Sequence, residues 1–309
     1  MISFKQRGRA GLQFLGSLQQ FSSSALRDQA EADYAAQPEA PALAEEWKSG
    51  DVRPHVWRER LDRARDVVER SKAYRYNRFY QRFVAEQNYV RAIPATEARR
   101  KEWEAFVATK QPGDSSRLKL DPNVPIPRWY EHVEWHLEPG GWDGYDLTQP
   151  MFMSGIGPYV FSLGGYAAVD VNCDIRAQRK NVLMQFRRRD FKRIYEAGCG
   201  GATTLAVARQ LFPQAELVGG DLSPSLLKNG HFVSEMLNLG ITFRQEDAVK
   251  VGEADNSVDA VISYALHHEM PPAVSEAMIK EMFRILAPGG DMVISDPPPF
   301  GAVRPVRVS

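Results

Sequence analysis

A glycine-rich turn between a short apolar run and a helical pattern is the feature that most constrains the fold. The turn reads Glu-Ala-Gly-Cys-Gly-Gly-Ala over residues 196–202. A strand is predicted before it at Arg193–Glu196, and a helix after it from about Thr203 to Leu211. Glycines let the chain turn tightly and let a ligand approach the backbone without Cβ atoms in the way. This strand–turn–helix order predicts the first unit of a parallel α/β sheet.

The chain downstream of this turn continues the same pattern. Short apolar runs alternate with helical patterns at a spacing of about 10 to 15 residues, which is typical of βαβ units. Ser223 and Pro224 form a helix start, with the serine as N-cap and the proline in the first turn. Further strands are predicted at Glu216–Gly219, Ile241–Arg244, Val258–Tyr264 and Met292–Ser295.

The sequence upstream of the sheet divides into two parts. Residues 1–50 are expected to be a mobile segment, and the acid-free stretch 1–27 leaves a targeting segment open. Residues 51–185 are predicted to form a mainly helical cap with an aromatic-rich lid, ahead of a core over 186–309. The cap's predicted features are a helix from Trp57 to about Gln87, an end at Pro94, a short helix from Thr96 to Val107, an irregular connector over 111–128 and an aromatic- and glycine-rich stretch over 129–166.

Composition excludes several classes of protein. Lys and Arg total 39 and Asp and Glu total 39, so the net charge is zero. This balance argues against a wholesale nucleic-acid binder. No apolar run reaches the ~18 residues that span a bilayer. Cys173 and Cys199 form no Cys-x-x-Cys pair, which argues against a disulfide framework and predicts a reducing, cytoplasmic location.

Acidic residues follow two of the predicted strands. Asp221 comes about twenty residues after the glycines, where an acid can accept both hydroxyls of a ribose. Asp247 closes the third strand, where it can accept from an adenine amino group. The fourth strand delivers the segment Ala265–Glu269 to the carboxyl edge of the sheet, where ligands of such folds bind.

Residues 190–296 resemble a class I S-adenosylmethionine-dependent methyltransferase. The motifs that carry the resemblance are the turn at 196–202, Asp221, Glu246-Asp247-Ala248, and Phe-Arg-Ile-Leu-Ala-Pro-Gly-Gly before the fifth strand. They cover about a third of the chain. The resemblance implies a Rossmann-like, mostly parallel sheet with flanking helices, methyl transfer as the activity and S-adenosyl-L-methionine as the cofactor. A dinucleotide oxidoreductase fits less well, because residue 203 is Thr where its third glycine would stand.

The resemblance also implies roles for individual residues. Glu196 would lie near the methionine amino group, and Asp221 would hold the ribose. Ala202 replaces the usual third glycine of the turn. The remaining cofactor contacts implied are Gly198 and Gly200 as the backbone floor, Asp247 facing the adenine, Leu222 and Ala248 lining its ring, and Cys199 and Tyr264 beside them.

The family's terminal antiparallel hairpin has no counterpart in this sequence, which ends shortly after the fifth strand. An exposed edge strand is a liability that natural proteins avoid. We therefore expect Ala167–Val171 or a second subunit to cover that edge, unless the sequence is truncated.

His267 and His268 are the candidate catalytic residues. They lie at the mouth of the expected crevice, and histidine titrates near neutral pH, so either could serve as a base. A metal is not expected, because adjacent histidines point in different directions and no third ligand stands at a familiar spacing. Asp296-Pro-Pro-Pro-Phe300 resembles the motif of amino-methylating enzymes but follows the fifth strand rather than the fourth, which favours a plain proline-rich strand end.

An aromatic segment around residues 129–142 predicts the substrate side of the site. Aromatic walls can hold a sulfonium by cation–π attraction, and an enclosed lid suits a small or medium-sized organic acceptor. The candidate pocket residues are Trp135, His136, Trp142, Tyr159 and Tyr166.

Two alternatives remain open. Residues 53–101 carry 14 Lys or Arg against 6 acids, interleaved with aromatics, so an RNA or other nucleic-acid methyltransferase is one alternative. The plainer interpretation is a helix whose aromatics pack inward and whose arginines face water or acids. The other alternative is a non-catalytic methyltransferase-like subunit, and a homodimer is possible in either case.

Overall fold

The computed structural model describes residues 2–48, 53–109, 115–164 and 175–297. Up to residue 164 the elements are α1 Gln6–Phe21, a π-helical turn Ser22–Leu26, α2 Arg27–Ala35, α3 Ala40–Lys48, α4 Pro54–Val68, α5 Lys72–Glu97, α6 Arg100–Thr109, β1 Leu118–Lys119, α7 Thr148–Met151, a π-helical turn Phe152–Phe161 and α8 Ser162–Gly164. From residue 175 they are α9 Ile175–Leu183, β2 Arg193–Ala197, α10 Thr203–Leu211, β3 Glu216–Asp221, α11 Pro224–Met236, β4 Ile241–Gln245, β5 Val258–Tyr264, α12 Pro272–Ile285 and β6 Leu286–Ser295.

The chain divides into two compact units. The first comprises residues 1–100, 150–173 and 297–309, and the second comprises 101–149 and 174–296. The boundaries expected from the sequence, at residues 50 and 185, do not coincide with this division. The predicted cap, 51–185, contributes residues to both units.

A parallel sheet of six strands lies in the second unit. Its strand order is β1-β4-β3-β2-β5-β6, and every neighbouring pair is parallel. The chain therefore runs outward from β2 to β4 and then crosses back to β5, so the direction of winding reverses at β2. Ligands of open α/β sheets bind outside the carboxyl ends of the strands at such a reversal. The predicted Rossmann-like fold is confirmed.

The predicted strand positions are also confirmed, with small differences in length. β5 has the predicted bounds, whereas β2, β3 and β4 each extend one or two residues further. β6 begins at Leu286, because Leu286 already pairs with Val258 of β5, and the predicted Pro-Gly-Gly turn lies in the register shift before the next pair, Ala260 and Asp291. A second correction concerns the predicted connector over 111–128. Its residues Leu118 and Lys119 pair with Phe243 and Arg244 as an outer strand of the sheet.

The sheet is covered on both faces, which explains the continuous apolar runs of its strands. Successive residues alternate between two cores. Ile194 and Leu217 belong to the core beneath α9, α10 and α11. Tyr195 and Val218 belong to the core beneath α12, together with Met278.

An ion-pair network closes the amino edge of the sheet. Arg193, at the start of β2, lies 2.9 Å from the buried carboxylate of Glu253 and also pairs with Glu216. Arg244 reaches the same Glu253 oxygen at 2.8 Å. The amide of Arg193 donates to Asp259 at 2.9 Å. These contacts neutralise the one deeply buried carboxylate of this network, which lies at the edge opposite the predicted ligand crevice.

The first unit is built around α1 and α5. Leu12 and Leu15 of α1 are fully buried. A Cβ added to Gly16 would stand 2.0 Å from the carbonyl oxygen of Tyr159, so glycine is required for this close approach. Residues 6–48 are thus mostly helical and do not form the mobile segment expected over residues 1–50, because apolar residues at helical spacing bury one face.

Two expectations for the basic stretch 53–101 are wrong. Pro94 lies inside α5 instead of ending it. Proline has no backbone N–H, so the helix loses one hydrogen bond at this position. Ala92 and Thr96 on either side of it are fully buried, and their packing stabilises this last turn. The aromatics do not all pack inward, since Tyr76 and Phe79 are exposed.

Several arginines of the same stretch pair with acids. Arg70 contacts Glu39 at 2.8 Å and Arg100 contacts Glu97 at 2.6 Å. Arg82 pairs with Glu86 one turn along its own helix. These pairs match the part of the plainer interpretation that concerns the arginines. They do not test nucleic-acid binding.

Four features predicted from the sequence lie outside the described residues. They are the pocket candidate Tyr166, the proposed edge cover Ala167–Val171, Cys173, and the end of the proline run at Phe300. Within the described part of the chain, β6 is the outermost strand on its side of the sheet, and what covers it stays a prediction. In the same part of the chain, no helix is both long and apolar enough to cross a membrane.

The two-sided core makes a direct stability prediction. Ile262 of β5 is fully buried, whereas Ile279 of α12 is 41% exposed. We expect Ile262→Ala to lower the free energy of unfolding by about 2–5 kcal/mol through lost burial and a cavity. The matched control Ile279→Ala should change it by less than about 1 kcal/mol. Urea denaturation of both variants measures this, and equal losses would contradict the assignment of β5 to the core.

Candidate active site

The glycine-rich turn leaves β2 with three residues in the left-handed region. Gly198, Gly200 and Ala202 have φ angles of 64°, 50° and 61°. A Cβ added to Gly198 would stand 2.6 Å from a methyl carbon of Leu266, so one side of the turn is closed by packing. A Cβ added to Gly200 would meet nothing within 4 Å. The turn therefore offers an open backbone surface above Gly200.

Asp221 ties this turn to the neighbouring helix. Its carboxylate accepts from the amide of Gly200 at 2.8 Å and from the amide of Ser223 at 2.8 Å. Burial raises the pKa of Asp221 to about 6, against these two amide hydrogen bonds and with the help of the charges of Glu269 and Asp143. A carboxylate held in this way can still accept hydroxyl groups of a ligand.

Glu196 is the buried acid at the end of β2. It is 1% exposed, and its Oε2 has no hydrogen-bond partner among the described residues. Burial raises its pKa to about 8, against the hydrogen bond of Thr204 and the charge of Arg179. The carboxyl is therefore mostly protonated at neutral pH, and a cation arriving beside it would favour the ionised form.

Arg179 of α9 is a site residue that the sequence analysis missed. Its Nε donates to Thr204 Oγ1 at 3.1 Å, and its guanidinium lies 4.4 Å above the ring of Tyr264. The hydroxyl of Tyr264 lies 3.4 Å from the side-chain oxygen of Gln178. No motif marks α9, so only the fold could bring this cation to the ends of β2 and β5.

The residues predicted for the adenine side follow the carboxyl ends of β3 and β4. Leu222 is buried, and Ala248 packs on the core beneath α12. Asp247 accepts from the amide of Val249 at 3.1 Å, so its carboxylate also stabilises its own turn. Burial raises the pKa of Cys199, which keeps its thiol protonated. The cofactor roles of these residues stay predictions.

Asp296 organises the turn that follows β5. Its carboxylate accepts from the amides of Leu266 and His267 at 2.9 and 2.8 Å, and lies 2.7 Å from Nδ1 of His268. Burial would raise the pKa of Asp296, but these hydrogen bonds outweigh burial and lower it. The aspartate of the proline-rich run is thus a structural part of the site.

Glu269 contacts three side chains, two of which come from a distant segment of the sequence. Its Oε1 lies 2.7 Å from Nε2 of His136 and 3.7 Å from Nε2 of His268. Its Oε2 accepts from the indole nitrogen of Trp142 at 3.1 Å. Burial would lower the pKa of His136, but the hydrogen bond to Glu269 and the charges of Glu269 and Glu138 together outweigh burial and raise it. Two of the five predicted pocket residues therefore meet one catalytic candidate here.

Trp135, Tyr159 and His267 are the other predicted pocket and catalytic residues that the structure describes. Trp135 belongs to the same irregular segment, and its indole nitrogen is buried with no partner in the described part of the chain. Tyr159 lies in the first unit. His267 points to the hydroxyl of Ser275 through Nδ1, and its Nε2 is buried with no partner among the described residues.

Asp143 is a second site residue that sequence reasoning missed. Its carboxylate accepts from the hydroxyl of Ser223 at 2.9 Å and from the amide of Ser225 at 3.1 Å. It therefore caps the start of α11 from outside and complements the helix dipole. An aspartate in a glycine-rich loop carries no signal that would show this contact.

Comparison with known protein families identifies the sheet region. Residues 194–290 match the family model described as "Methyltransferase domain". These residues carry the class I S-adenosylmethionine-dependent methyltransferase fold that the sequence motifs predicted.

Curated relatives match over the same part of the chain. The demethylmenaquinone methyltransferase of Thermus thermophilus is 31% identical over 132 residues, which are 42% of this chain and 58% of the relative. The sterol 24-C-methyltransferase of Yarrowia lipolytica is 33% identical over 101 residues, 32% of this chain and 26% of the relative. The chain thus spans little more than half the length of the first relative and about a quarter of the other.

Among solved structures, the geranyl diphosphate C-methyltransferase of Streptomyces coelicolor is similar at 18% identity and a TM-score of 0.36. The match covers 38% of this chain and 43% of that one.

The role of Asp296 can be tested by amide exchange. Asp296→Ala removes the acceptor of the Leu266 and His267 amides, and a hydrogen bond to a charged group contributes about 1.5–3 kcal/mol. We expect hydrogen–deuterium exchange over 266–268 to accelerate at least about tenfold. Asp255→Ala, which removes an exposed acid paired with Arg284, is the control. Unchanged exchange in the first variant would contradict this role.

Proposed function

We propose that this chain, whose residues 194–290 form a class I S-adenosylmethionine-dependent methyltransferase domain, transfers a methyl group from S-adenosyl-L-methionine to a small or medium-sized organic acceptor. The observation that carries the proposal is the joint arrangement of the open turn at Gly200, the carboxylate of Asp221 and the buried Glu196. Each lies at the carboxyl edge of β2 or β3, where ligands of such sheets bind.

The residues present fit the cofactor. The unfilled space above Gly200 leaves room for a ligand against the backbone. Asp221 would hold the ribose hydroxyls, and Glu196, with its unpartnered oxygen, would face the methionine ammonium. Leu222 and Ala248 would line the adenine ring, with Asp247 facing its amino group.

The chain's own residues have a limited chemical task. When bound, S-adenosyl-L-methionine supplies an activated methyl group on a sulfonium, which is already a good leaving group. The protein must position the acceptor and exclude water. An oxygen or carbon acid as acceptor also needs a base, and we propose His267 or His268 for it. His267 is the better candidate, because His268 is already engaged by Asp296 and Glu269.

The acceptor class is supported by the relatives. Their names specify demethylmenaquinone and a sterol, both of which are organic molecules, and the sterol enzyme's name specifies methylation at carbon. The irregular segment that carries Trp135, His136 and Trp142 would supply aromatic surface for such an acceptor. A cytoplasmic location and a homodimer belong to the same proposal.

Two other functions are distinguished by simple observations. A nucleic-acid methyltransferase would retain RNA on the exposed Tyr76–Phe79 face in a salt-dependent manner. A non-catalytic subunit would fail to bind the cofactor by itself. The arrangement of Gly200, Asp221 and Glu196 favours a catalytic methyltransferase over both of these alternatives.

Cofactor binding is the first test of the proposed function. We expect S-adenosylmethionine and S-adenosylhomocysteine to bind with micromolar affinity in calorimetric titration, and Asp221→Ala to abolish detectable binding because it removes the ribose acceptor. Glu216→Gln is the matched control, since Glu216 begins the same strand at the opposite edge of the sheet. No binding by the unmodified chain would overturn the catalytic proposal for this chain alone.

Proton release on cofactor binding is a second test. Because burial raises the pKa of Glu196 to about 8, its carboxyl is mostly protonated at pH 7. An ammonium group bound beside it favours the carboxylate, so binding should release close to one proton. Calorimetry at pH 7 in buffers of different ionisation enthalpy measures this number. Glu196→Gln should reduce it to near zero, and proton uptake by the unmodified chain would contradict the assignment.

Methyl transfer itself is tested with labelled cofactor. We expect S-adenosylhomocysteine to accumulate with demethylated quinones or sterols as acceptors, and His267→Gln to lower its rate of formation by about 10²–10⁴-fold if the acceptor is a carbon acid. Turnover with RNA and not with these molecules would favour the alternative.

A further inference from the structure

We propose that His136, His268 and Glu269 form a binding site for a transition-metal divalent cation of the Zn²⁺ type. The three side chains each offer a ligand atom, and these atoms all lie within 4.8 Å of one another. The proposal does not depend on methyl transfer, because it rests only on the positions of these three side chains.

The distances around Glu269 suit a metal with nitrogen and oxygen ligands. Donor atoms bound to Zn²⁺ at about 2.0–2.1 Å in a tetrahedron lie about 3.3–3.4 Å from one another. The two Nε2–Oε1 distances, from His136 and His268 to Glu269, are 2.7 and 3.7 Å. Small side-chain rotations would therefore place all three donors on one cation, with at least one coordination position left for another ligand.

Contacts behind the donors orient them toward the same point. Nδ1 of His268 is held by Asp296 at 2.7 Å, which leaves Nε2 as its metal-facing nitrogen. Histidine ligands of metals commonly make such a hydrogen bond to a carboxylate. Oε2 of Glu269 accepts from Trp142 at 3.1 Å, which leaves Oε1 for the cation.

Charge and access favour a cation at this position. Other carboxylates lie beside the donors, since Glu138 accepts from the amide of His136 at 2.7 Å and Asp296 lies 2.7 Å from Nδ1 of His268. The side chains of His136 and His268 are 47% and 30% exposed, which gives the cation a path from solvent.

The donor set also selects the metal. Two imidazole nitrogens and one carboxylate suit Zn²⁺, Fe²⁺, Co²⁺ or Ni²⁺, whereas Mg²⁺ and Ca²⁺ prefer oxygen ligands. The sequence argument against a metal considered His267, His268 and the following Glu269, and it found no further ligand at a familiar spacing. The fold supplies the missing ligand from His136, 133 residues away from Glu269.

Calorimetric titration of ZnCl₂ into the untagged full-length chain, previously dialysed against a chelator, tests the proposal. We expect one equivalent of Zn²⁺ to bind, with excess Mg²⁺ unable to compete. His136→Ala, His268→Ala and Glu269→Gln should each weaken binding at least tenfold. His132→Ala is the matched control, because His132 lies in the same segment with its imidazole 81% exposed. Unchanged melting temperatures establish that the variants are folded.

Co²⁺ absorption gives a second readout on the unmodified chain. Intense visible bands, suppressed by Zn²⁺, are expected for a site of four or five ligands. Zn²⁺ binding that is absent, or that is lost in His132→Ala and kept in His136→Ala and His268→Ala, would overturn the proposal. So would a weak Co²⁺ spectrum typical of a fully hydrated ion.

Discussion

The hydrogen bonds of Asp221 connect the glycine-rich turn to the start of the neighbouring helix, and the shape of the candidate site depends on this connection. One carboxylate, at the end of β3, fixes the glycine-rich turn after β2 and the start of α11 through the amides of Gly200 and Ser223. The turn can then remain open toward a ligand without losing its shape. Burial raises the pKa of this carboxyl to about 6 against these two hydrogen bonds, so the residue that builds the crevice is also a chemically responsive group.

A similar arrangement holds the opposite side of the crevice. Asp296, at the end of β6, fixes the turn after β5 through three consecutive amides and the imidazole of His268. Both acids stand at carboxyl ends of strands and both bind backbone amides of the adjacent turn. The positions of the candidate functional side chains therefore follow from the register of the parallel strands.

Sequence patterns predicted the sheet well because its signals are local. The alternation of apolar runs, the glycines and the cap Ser223 each depend on neighbouring residues, so the predicted strand positions and the cap are found in the structure. Contacts between distant segments have no such signal. The edge strand at Leu118, the approach of His136 to Glu269 and the position of Arg179 above Tyr264 all depend on tertiary packing. Pro94 shows the converse case, where a strong local signal gives way to packing on both sides.

The ion-pair network of Arg193 has a consequence for how this domain can change. β2 begins in that network and ends at Glu196 and the turn, and a five-residue strand spans only about 13 Å between its first and last Cα atoms. Substitutions separated by more than about 7–10 Å and without shared partners act almost additively on stability. The two ends of the strand can therefore vary independently. Stability lost to a new side chain in the crevice can be regained at Glu216 or Glu253, the partners of Arg193, while the domain remains folded.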